Sequence, residues 1–126
     1  MILRVNRFAR VVSGMGVCAS LLSMPTQALA LECPMPQPLT RPGILKETPA
    51  QTTELANLLA SGDDDNRIHV VIHDLRTRYP GIENAEIVNY LMAAYCPTVA
   101  QLTGLGPQEQ QARTDRFLGQ VVRIVH

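Results

Sequence analysis

From residue 48 onward, apolar positions recur at helical spacing. Leu55, Leu58 and Leu59 form an i, i+3, i+4 stripe. Ahead of it, Thr48 is the expected N-cap, Pro49 occupies the first helical position and Gln51 sits where a capping box needs it. Ser61-Gly62 is the expected stop, with Gly62 free to take the left-handed conformation. A second stripe, Ile68, Val71, Ile72, Leu75 and Tyr79, predicts a helix over about 67–79, ended by Pro80-Gly81. Val70-Val71-Ile72 reads locally as a strand, but the apolar period continues at 3.6 and not 2.

The third segment, 85–102 with Asn84 as expected N-cap, is apolar almost all round and should lie centrally. Pro97 lacks the N–H donor, which predicts a kink or restart around 93–96. After Gly104-Leu105-Gly106, Pro107 and Glu109 open a fourth helix reaching about Val125. Its inward face is Phe117, Leu118, Val121, Ile124 and Val125. Its outward face is Glu109, Arg113, Arg116, Gln120 and Arg123. The expected fold class is all-α, a small bundle of about four helices.

The chain ahead of these helices divides in two. Residues 1–10 carry Arg4, Arg7 and Arg10 and no acid. Val11–Leu22 is mostly apolar, and Ala28-Leu29-Ala30 closes the segment with small residues. This is the three-part pattern of a secretory signal cleaved after Ala30, and its apolar run is shorter than a membrane span. The expected domains are a signal peptide at 1–30, an arm at 31–47 and a helical domain at 48–126. Pro34, Pro36, Pro38 and Pro42 keep the arm out of a helix and make it a poor strand. The expected destination is the bacterial periplasm or the exterior, with no stable membrane span after cleavage.

Loss of the leader changes the chemistry of the chain. Residues 31–126 carry 8 Lys+Arg against 11 Asp+Glu, a net charge of −3, which offers nothing to attract nucleic acid. Two cysteines remain, Cys33 and Cys96, and an even pair in an oxidising compartment reads as one disulfide. On the third helix Cys96 lies roughly 120° from the main apolar stripe, among Asn89, Met92, Ala93 and Ala100. The arm should therefore cross this second face and be pinned there.

Little points to catalysis. Residues 31–126 hold one serine, Ser61. His73 and Asp74 are helix neighbours whose side chains diverge by ~100°. No serine triad follows, and no phosphate loop, dinucleotide fingerprint or haem attachment occurs. With 4 % aromatics and no Trp, a sugar-stacking cleft is not expected. Three consecutive acids at 63–65 lack the alternation of a calcium loop and suit a helix N-terminus instead. His69 and His73, spaced i, i+4, could share a metal if the fold brought in a third ligand such as Asp65, Glu83 or His126.

The expected function is thus an exported, non-catalytic module that binds a protein partner, with no cofactor. An acid- or stress-responsive chaperone is one alternative, since histidines titrate near neutral pH. A metal-binding protein using His69 and His73 is the other.

Overall fold

Four α-helices form where the apolar periodicity places them, and no strand accompanies them among the described residues, 31–62 and 65–126 of this computed structural model. The leader assigned to 1–30 and the acids Asp63 and Asp64 lie outside those residues. The helices are α1 (Pro49–Ala60), α2 (Asp65–Arg78), α3 (Asn84–Ala100) and α4 (Pro107–Val125).

Thr48 and Gln51 close the expected capping box on α1. The Gln51 N–H donates to Thr48 Oγ1 at 3.2 Å, and the Thr48 N–H donates to Gln51 Oε1 at 2.8 Å. The other end differs from expectation. Ser61 caps α1 in the right-handed region, and the left-handed glycines are Gly81 and Gly104, not Gly62. Arg67 supplies the missing cap from α2: its Nη1 donates to Leu58 O at 3.0 Å and to Ser61 Oγ at 2.7 Å. A guanidinium thus does for the last carbonyls what a glycine turn would otherwise do.

Helix α3 is central. Ile87, Val88, Leu91, Met92, Ala94, Tyr95, Cys96 and Val99 are all buried along it. It begins one residue earlier than expected, with Glu83 and not Asn84 at the N-cap. Glu83 makes no side-chain cap bond because the arm occupies its carboxylate, while the Asn84 amide oxygen accepts from Arg76 at 3.0 Å. The expected restart at Pro97 does not occur, and the helix continues to Ala100. Ala93 and Pro97 both sit on an exposed side. The unbonded carbonyl therefore falls where the proline costs least.

Helix α1 packs on α3, α3 on α4, and α2 on α4. The core joins Leu59, the α2 stripe Ile68–Leu75, the length of α3 and the α4 residues Phe117, Val121 and Val125. The Tyr95 and Phe117 rings stack with centroids 3.8 Å apart. Thr114 extends the buried face of α4. Arg113 and Gln120, expected outside, are half-buried.

The arm crosses α3 on the expected face and is bonded there through Cys33–Cys96, with Cα atoms 5.8 Å apart. The N–H groups of Glu32, Gln37, Thr40 and Leu45 are met by side chains. Gln37 donates to Asn89 Oδ1 at 2.7 Å and its carbonyl accepts from Asn89 Nδ2 at 2.9 Å. Gln111 of α4 makes the same reciprocal pair with Glu32, at 3.2 and 3.4 Å. Each amide side chain thus stands in for a neighbouring strand at one residue of the arm, Asn89 at Gln37 and Gln111 at Glu32. Leu31 and Leu45 tuck against the core near the two ends of the arm.

Candidate functional site

Helices α1 and α2 pack on different members of the central pair, which leaves a groove between them of about 330 Å³. Leu55, Val71 and Leu75 form its apolar floor. Leu58 on the α1 wall and Val70 on the α2 wall stand 44 % and 68 % exposed, although both are aliphatic. The Leu55–Leu58–Leu59 stripe therefore divides: Leu59 enters the core, while Leu58 turns to the groove. Val70 is one residue off the buried stripe of α2, which puts it over the groove and not beneath it.

One end of the groove is charged. Glu47, the last residue of the arm, has a side chain only 2 % exposed. Arg78 Nη2 lies 2.6 Å from its Oε1. The two are held at the distance of a charge-assisted contact, and no other described group satisfies either carboxylate oxygen of Glu47. Arg78 also donates from Nε to Asp74 Oδ2 at 2.8 Å, one helical turn back, and lies 5.3 Å from the centre of the Tyr79 ring. Glu47 first, then Asp74, hold the guanidinium pKa above its already high ordinary value. Tyr90 of α3 lines the same end. Burial raises the pKa of its hydroxyl, opposed by a 3.4 Å contact with Thr52 Oγ1.

A second, smaller cavity of about 140 Å³ lies beneath the arm. It is lined by Cys33, Pro34, Met35, Met92, Cys96 and Leu118 among others. Its lining is the disulfide and apolar side chains, with Asn89 already engaged by Gln37.

At its other end the arm is clasped by carboxylates. Glu83 accepts from the Thr40 N–H at 3.0 Å and the Thr40 hydroxyl at 2.9 Å, and Arg41 Nε reaches it at 3.4 Å. Arg41 also donates to the Gly81 carbonyl at 3.1 Å. Glu86 accepts from the Leu45 N–H at 2.7 Å. The Thr40 N–H, then the Thr40 hydroxyl and Arg41, hold the Glu83 carboxyl below the usual carboxylate range, against the opposing effect of desolvation.

The histidines fall elsewhere. His69 and His73 are both exposed on α2, on the side away from its buried stripe. Among the described residues no group of three or more His, Cys, Asp and Glu side chains converges to hold a metal ion. Of the candidate third ligands, Asp65 is paired with Arg123 at 3.0 Å and Glu83 with the arm. No described helix is long and apolar enough to cross a membrane. Sequence reasoning missed the groove because Glu47 and Arg78 are 31 positions apart and each reads alone as a solvated charge. The available signal was Val70, an apolar residue outside the stripe of its own helix.

No protein-family model matches the chain, and neither the curated proteins nor the solved structures include a significant likeness.

Proposed function

We propose that this protein is an exported, non-catalytic helical module, periplasmic once residues 1–30 are removed, that docks a segment of a partner protein in the groove between α1 and α2. The observation that carries this reading is the pair of exposed aliphatic side chains, Leu58 and Val70, which line one groove from different helices together with the apolar Leu55, Val71 and Leu75. Exposed apolar surface gathered into one concave patch favours association with an apolar partner. The signal pattern of the first 30 residues and the disulfide suit an oxidising compartment.

A photo-crosslinking residue at Val70, placed in cells of the exporting host, tests the docking. It should give a discrete adduct that disappears on Leu58→Asp, while the same probe at Arg116 on α4 gives none. Absence of any adduct at Val70, or an equal one at Arg116, refutes the docking surface.

The carboxylate clasp favours a second reading, an acid-responsive chaperone-like protein whose arm loosens at low pH. The folded pKa of Glu83 lies below its unfolded value, so its contribution is complete near neutral pH and is lost as pH falls through the folded value. Below about pH 4, the Thr40 amide should lose more of its protection against exchange, relative to the intrinsic rate at that pH, than the Gln37 amide, which is held by an uncharged amide. Glu83→Gln should remove that difference. Equal loss of protection at both sites would dismiss the clasp as an acid sensor.

A further inference from the structure

We infer, building on the reading of the α1–α2 groove as a docking surface, that its occupant is an amphipathic segment of a partner protein that sets a Lys or Arg beside apolar side chains. The charges lining the groove are Glu47, Glu54, Asp74 and Arg78, a net of −2. Arg78 is the only cation among them, and it is already met from below by Glu47 at 2.6 Å and from its own helix by Asp74 at 2.8 Å. The buried carboxylate therefore answers the guanidinium. Glu54 on α1 and Asp74 on α2, both exposed, leave negative potential over the opening.

The two carboxylates stand on opposite walls, as do Leu58 and Val70. A cationic side chain laid across the groove meets an acid from either helix, while its apolar neighbours meet Leu58, Val70 and the Leu55–Val71–Leu75 floor. An acidic segment would bring like charge against both walls. Low-dielectric walls strengthen this discrimination relative to an open surface. The volume, about 330 Å³, admits a few side chains and not a whole helix, so the partner's backbone rides above and its side chains enter.

The test uses the oxidised protein and two short synthetic helical peptides with the same leucine face, one edged with lysines and one with glutamates. The lysine peptide should bind at least about tenfold tighter at low salt, with the gap narrowing at high salt as screening sets in. Glu54→Gln with Asp74→Asn should shrink the gap, and Glu54→Lys should reverse it. Leu58→Ser with Val70→Ser should abolish binding of both peptides. All of these positions are exposed, and thermal melting checks that each variant folds.

Equal affinity for the two peptides, lost in the Leu58/Val70 variant, would leave a docking groove and overturn the inference about charge. Binding of neither peptide, or binding indifferent to Leu58 and Val70, would overturn both. A simple alkylamine that displaces the lysine peptide at equal concentration would overturn the choice of a partner segment in favour of a small amphiphilic cation.

Discussion

Removing the Cys33–Cys96 bond is expected to lower the free energy of unfolding by about 4 kcal/mol. The bond spans 63 residues of separation, and the chain entropy released on cutting so long a loop sets that figure. A domain of this size has only about 5–15 kcal/mol to lose. The native state is affected too, since near Cys33 the arm is then held only by Leu31 against the core and by side-chain hydrogen bonds on exposed surface, while its far end keeps Leu45 and the buried Glu47. Paired urea melts of the oxidised protein and of Cys33→Ala with Cys96→Ala measure the difference directly. Alanine is the better replacement because Cys96 is completely buried, and a serine hydroxyl there would add its own desolvation cost. A loss below about 1 kcal/mol would show that the arm and α3 stay together without the bond.

Phe117→Ala should cost about 3–5 kcal/mol. Phe117 is 2 % exposed and stacks on Tyr95 with planes only 16° apart, joining α4 to the central helix. Truncation leaves a cavity and exposes one face of a buried tyrosine ring to it. Phe117→Leu, which keeps apolar volume, should cost distinctly less. Thermal melting of the two variants separates the ring's contribution from that of bulk. Near-equal melting temperatures for Phe117→Ala and the parent protein would place the core's organising contact elsewhere.

The helices were legible because each buries one face, and a buried face writes its period into the chain. The α2 stripe Ile68, Val71, Ile72 and Leu75 is buried as its spacing requires, and the all-round apolarity of α3 matches its central place. The disulfide was legible from cysteine parity, and the arm's path from the position of Cys96 on its helix. The groove was not, because it depends on how far apart two helices stand, which no local period records. Leu58 shows the limit: its spacing is that of a core residue, yet it lies at the rim. Glu83 shows another, since an N-cap side chain was claimed by a segment some 43 positions earlier in the chain.

The substitution of side-chain amides for a neighbouring strand has a kinetic consequence. Asn89 and Gln111 meet residues 52 and 79 positions away, so neither partner exists in a usable orientation until α3 and α4 have wound. Closing such distant contacts is entropically slow, whereas helix winding is local and fast. The arm is therefore expected to dock last, over a bundle already assembled, so burst-phase amide protection should appear in α3 and α4 before it appears at Glu32 and Gln37.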